Sequence, residues 1–102
     1  MSRPSSAYLP KGWHERLPDP ATYYAQHLDR LDKTDANGWA AAPCPFHDDH
    51  AASLSVKLAS IKGAYRCHAC EAHGDMVTFH MARTELPFKA AVRDLIGLQV
   101  HA

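Results

Sequence analysis

Two short pairs of zinc-type ligands constrain this chain more than any other feature. Cys44-Pro45-Phe46-His47 and Cys67-His68-Ala69-Cys70 each hold two residues between their ligands, and nineteen residues separate His47 from Cys67. A pair with this spacing folds as a tight turn that points both side chains inward, and two such turns brought together supply a tetrahedron. The chain between them must therefore return to its starting point. Its pattern allows that: Leu54, Val56 and Leu58 alternate with Ser53, Ser55 and Lys57, which reads as a half-buried strand. Ile61-Lys62-Gly63 supplies a turn, and residues 64–66 return as a second strand ending at Cys67. The expected hairpin brings both ligand pairs to its base.

Three thiolates and one imidazole suit zinc, whereas magnesium and calcium favour oxygen, and four protein ligands leave no open coordination position. The expectation is one structural Zn2+ on Cys44, His47, Cys67 and Cys70. The excess negative charge of such a site calls for donors near the sulfurs, with the Ala69 or Glu71 N–H, or Arg66, as candidates. His50, His68 and His73 are also near the pairs, but His47 has the better spacing; the others read as solvated or hydrogen-bonding residues, and His80 as a satisfied core or boundary residue. Cysteine can be a small buried hydrophobe, yet two matched pairs are hard to produce that way. A redox role for Cys67-x-x-Cys70 would leave Cys44 and His47 unexplained and lacks a βαβ context. Asp48-Asp49 reads as a solvated pair.

The cysteine count carries a second message. Three is an odd number, so no closed disulfide set exists. The N-terminal run Met1-Ser2-Arg3-Pro4-Ser5-Ser6 has no apolar segment of the signal-peptide kind, and no stretch approaches the ~20 apolar residues of a membrane helix. These features lead us to expect a reducing, cytoplasmic setting without a membrane partner.

Around the metal pairs, residues 1–18 are rich in Pro and Ser and read as a flexible lead-in. Asp19-Pro20 is a helix start, and Tyr24, His27, Leu28 and Leu31 follow at helical spacing, so a helix is expected over 20–31. Asp35-Ala36-Asn37-Gly38 is a turn signal before a short strand over 38–42 that carries Trp39. Asp75 should cap a second helix with Val77, His80 and Met81 on one face. After Leu86-Pro87 a third helix, over 87–96, should bury Phe88, Ala91, Val92, Leu95 and Ile96 before Gly97 ends it. The fold class is α+β: a small antiparallel zinc-ribbon sheet flanked by about three helices. Residues 19–102 form a single domain with its core at 44–98; at 102 residues and 46% hydrophobic, the chain can build one modest core.

Charge limits the partners. Eleven Lys+Arg balance eleven Asp+Glu, and the balance also holds within 1–43, 44–74 and 75–102, which argues against strong nonspecific binding of duplex DNA. On the hairpin, Lys57, Lys62 and Arg66 accompany Tyr65. Cations can track phosphates while an aromatic ring stacks a base, a combination suited to single strands. The same residues also read as an ordinary solvated strand face around a core tyrosine. Alternation places Lys57 opposite Val56 and Leu58, and Arg66 opposite Tyr65.

The segment from Cys44 to Leu98 resembles the N-terminal zinc-binding domain of bacterial-type DNA primases. The resemblance rests on Cys44-Pro45-Phe46-His47-Asp48-Asp49, Ser53-Leu54-Ser55-Val56, Tyr65-Arg66-Cys67-His68-Ala69-Cys70, Gly74-Asp75-Met76-Val77-Thr78-Phe79 and Phe88-Lys89-Ala90-Ala91-Val92. It implies a zinc ribbon that recognises single-stranded template DNA and assists a separate polymerase domain. With the chain ending at Ala102 there is no room for the acidic polymerase core, so the expectation is a non-enzymatic, single-stranded DNA-binding module of a primase-like replication system. Lys57, Lys62, Tyr65 and Arg66 are its candidate contacts, and a primase polymerase or a helicase is its protein partner. The competing expectation is a zinc-stapled protein-interaction module that binds no nucleic acid, favoured by the neutral charge. A thiol oxidoreductase or a remnant primase is the third reading, opposed by zinc-filled thiolates and by chain length.

Overall fold

In the computed structural model, which describes residues 9–48 and 52–101 (side chains to 97), the hairpin forms as its alternation dictates. Strands β1 (Trp39–Ala42), β2 (Leu54–Lys57), β3 (Tyr65–Cys67) and β4 (His73–Gly74) make one antiparallel sheet in sequence order. Helix α1 (Pro20–His27) precedes it, and α2 (Met76–Thr84) and α3 (Phe88–His101) follow. The expected α+β class and antiparallel ribbon are both present.

Register sorts every strand residue onto one of two faces. Ala42 pairs with Leu54 and Leu54 with Cys67, while Ala40 pairs with Val56 and Val56 with Tyr65. All six are buried and form the inner face. Residues between them, Trp39, Ala41, Ser55, Lys57 and Arg66, form the outer face, because successive side chains on a strand alternate.

The inner face is closed by Tyr23 and Tyr24 from α1, Met76 and Phe79 from α2, and Val92 and Leu95 from α3, all at most 1% exposed. Phe79 is the hub: its ring lies 5.0 Å from Tyr24, 5.2 Å from Tyr65, 5.3 Å from Phe46 and 5.9 Å from Tyr23, edge-on in each case. Edge-to-face contacts of this kind add to the burial energy of large rings. Tyr24 also donates its hydroxyl to the Gly63 carbonyl at 2.6 Å, tying α1 to the hairpin turn. Gly63 is at φ 62 with Pro20 and Met76 3.1–3.2 Å from where a Cβ would stand, so both conformation and packing favour glycine there.

The structure departs from the sequence expectations in several places. Helix α1 ends at His27 instead of residue 31, because Leu28 turns extended and the following chain runs beside β1: Asp32 donates to the Ala41 carbonyl and Asp35 to that of Trp39. Leu28, on extended backbone, is still buried in the core, and Leu31 packs against it. Gly97 does not stop α3, which runs on to His101. Phe88 is not buried; it opens α3 beyond the edge of the core, 44% exposed, and meets Trp13 edge-on at 5.7 Å. Trp13 lies in a 3-10 turn, Trp13–Arg16, inside the stretch expected to be a loose lead-in, and Leu9, Trp13 and Leu17 pack against the core. The earlier part of that lead-in, residues 1–8, lies outside the described residues.

Candidate metal centre and adjoining sheet face

The first ligand turn leaves β1 through Pro43 and the second leaves β3 at Cys67, so the β1–β2–β3 pairing carries the two turns to one end of the sheet. There the ligand atoms of Cys44, His47, Cys67 and Cys70 all lie within 4.8 Å of one another. Cys44 Sγ is 3.9 Å from Cys70 Sγ, and His47 Nε2 is 3.2 Å from Cys67 Sγ. A tetrahedral zinc ion with bonds of about 2.3 Å to sulfur and about 2.0 Å to nitrogen requires S–S edges of roughly 3.8 Å and S–N edges of roughly 3.5 Å. The donor types and their spacing fit one zinc ion.

Backbone amides support the sulfurs. Cys67 Sγ accepts N–H bonds from Ala69 and Cys70, each at 3.4 Å, and Cys44 Sγ accepts one from Phe46 at 3.4 Å. Ala69 thus serves as the spacing suggested. Glu71 does not, since its N–H is spent on the Cys67 carbonyl, which closes the second turn; Arg66 points to the opposite face of the sheet. The thiols differ in consequence. Burial opposes ionisation of Cys67, but the amides of Cys70 and Ala69, together with His47, outweigh it and bring its pKa down to about 6. Burial pushes Cys44 up to about 12, reinforced by Cys67 and Cys70 and opposed by the Phe46 amide. Adjacent sulfurs cannot all ionise without a cation among them, so the site is built for a metal and binding it releases protons.

The remaining histidines have other duties. His68 Nε2 lies 3.2 Å from Ser55 Oγ and His73 Nδ1 lies 3.0 Å from the Glu71 carbonyl, both on exposed side chains. His80 is 2% exposed and hydrogen-bonded inside the helical layer. His50 and Asp49 lie outside the described residues.

The candidate nucleic-acid residues are divided by the sheet. Lys57 and Arg66 share the outer face, and Lys62 is exposed at the hairpin turn. Tyr65 is on the inner face, 4% exposed and packed on Phe79, so it is core and cannot stack a base. The aromatic ring of the outer face is Trp39, with Lys57 Nζ 5.3 Å from its ring centroid. Trp39, Arg66, Glu71 and His73 border a depression of about 430 Å³ that also touches Tyr65 and Gly74. Trp39 could have been found from the sequence: in Trp39-Ala40-Ala41-Ala42 the buried alternate positions are alanines, which leaves the tryptophan facing out. His73 had no such signal, since β4 is two residues long and forms only because the second turn folds back on β3.

The geometry defines a small α+β zinc-binding domain of the ribbon kind. Residues 25–101 match the CHC2 zinc finger family of DNA primase zinc ribbons, and the chain belongs to that family. Curated relatives include the DNA primase of Helicobacter pylori strain 26695, 46% identical over 54 residues, which are 53% of this chain and 9% of that protein. The DNA primase of Mycoplasma genitalium is 35% identical over 77 residues, 76% of this chain and 12% of that protein. That of Streptomyces coelicolor is 41% identical over 54 residues, 53% of this chain and 8% of that protein. The chain thus spans about a tenth of the length of these relatives.

Proposed function

We propose that this chain is the single-strand-binding module of a primase-type replication system, working in the cytoplasm with a separate polymerase or helicase protein and carrying out no chemistry itself. The observation that supports it most is the outer sheet face. Trp39, Lys57, Arg66 and His73 gather there, on the side of the sheet that the helices leave uncovered. A flat ring flanked by cations accepts a base on its face and phosphates beside it, without needing a large overall positive charge. The relatives named DNA primase point to the same system. No helix among the described residues is long and apolar enough to cross a membrane.

Fluorescence anisotropy of a labelled single-stranded oligonucleotide, with zinc-loaded protein in low salt, tests the reading. Saturable binding that weakens with added salt is expected; no binding by zinc-loaded protein overturns it. The balanced charge of every segment favours one other reading, a zinc-stapled protein-interaction module. Under that reading, neutralising Lys57, Lys62 and Arg66 leaves function intact.

A further inference from the structure

The three zinc-ligand sulfurs are protected unequally. Cys67 is fully buried and accepts amide N–H bonds from Ala69 and Cys70, and Cys44 is 4% exposed and accepts from the Phe46 amide. Cys70 is exposed, and among the described residues no N–H donor reaches its sulfur. Amide donors withdraw electron density from a thiolate and burial shields it, so both effects leave Cys70 as the sulfur most open to an electrophile. Its sulfur lies 3.9 Å from that of Cys44, which belongs to the other ligand pair, while the Cys67 sulfur is buried and held by its amide bonds.

We propose that Cys70 is an oxidant-reactive site, and that a peroxide converts Cys70 and Cys44 into a disulfide that expels the zinc. In the first step the Cys70 thiolate attacks one peroxide oxygen, the O–O bond breaks, and the departing hydroxide takes a proton to become water. Cys70 is then a sulfenic acid. In the second step the Cys44 thiolate attacks the Cys70 sulfur, an S–S bond forms, and the sulfenic oxygen leaves as a second water after taking a proton. Two thiolates lose two electrons and one peroxide is reduced to two waters. The sulfurs must close from 3.9 Å to about 2.05 Å, a movement the exposed turn at residues 68–70 can supply. One ligand is lost from each pair, leaving only His47 and Cys67, too few to hold the ion. The inference rests on the metal site alone and is independent of nucleic-acid binding.

The test treats the zinc-loaded chain with hydrogen peroxide, follows released zinc with a chromophoric chelator, and maps disulfides by peptide mass spectrometry. One Cys44–Cys70 disulfide per zinc released is expected. Cys70→His, which keeps four ligands but removes the reactive sulfur, should slow release about tenfold or more. A first disulfide that contains Cys67, or release from Cys70→His at the wild-type rate, overturns the proposal. A second measurement does not depend on how that variant folds: brief iodoacetamide treatment of the zinc-bound wild type should alkylate Cys70 first. Equal labelling of the three cysteines, or earlier labelling of Cys44 or Cys67, also overturns it.

Discussion

Trp39 and Tyr65 are both aromatic residues on neighbouring parts of one sheet, yet only one of them can meet a ligand. Trp39 stands on the outer face beside Lys57, and Tyr65 is sealed under Phe46 and Phe79. If a base stacks on Trp39, Trp39→Ala should weaken single-strand binding by about 1–3 kcal/mol, the usual worth of one stacked base. Tyr65→Phe should leave the affinity unchanged; both are read by anisotropy titration. His80 shows the same contrast between residue type and role. Burial holds the Tyr23 hydroxyl well above the usual tyrosine range, so it remains a donor, and it donates to His80 Nδ1 at 2.7 Å. His80 Nε2 meets Asp94 Oδ2 at 2.6 Å, an arrangement satisfied by an imidazole protonated at Nε2. The chain of bonds joins α1, α2 and α3. His80→Leu should cost about 1–3 kcal/mol in chemical denaturation, because it leaves the Tyr23 hydroxyl buried without its partner.

At the scale of elements, local chemistry set the starts better than the ends. Asp19 and Asp75 cap α1 and α2 as their positions suggested; Asp75 Oδ1 accepts from the Thr78 amide at 2.9 Å and from its hydroxyl at 3.0 Å. Asp75→Ala should therefore destabilise the domain by about 0.5–2 kcal/mol, measured by denaturant unfolding. The ends of α1 and α3 were misplaced for different reasons. The α1 stop is set from outside the helix, by the capture of residues 32–35 at the edge of β1. The expected α3 stop rests on Gly97, but glycine permits a left-handed turn without enforcing one. Gly97 lies within the helix with nothing within 4 Å of its would-be Cβ. Gly97→Ala should accordingly raise stability by up to about 1 kcal/mol; destabilisation would mean that the helix ends there after all.

For the molecule as a whole, the metal and the fold depend on each other. The four ligands clamp the ends of β1 and β3, and the inner face of that sheet is half of the core. Apparent zinc affinities of roughly 10–16 kcal/mol in small zinc domains match or exceed the total stability of about 5–15 kcal/mol typical of single domains. Cys67→Ser, or a strong chelator, should unfold residues 44–74 while part of α3 retains helical structure. Far-ultraviolet circular dichroism before and after verified zinc removal checks this, and an unchanged spectrum would contradict it. Much of this architecture could be read from residues alone, because the determining features are local or periodic. Ligand spacing within each turn, strand alternation over 53–58 and the aspartate caps are all short-range chemistry, and together they determined the metal site, the hairpin and the α+β class. That Tyr65 is sealed in the core, where α1 stops and which sulfur lies open were decided only in the tertiary structure. Each depends on contacts made outside the segment itself, and a pattern along one segment holds no information about what will be packed against it.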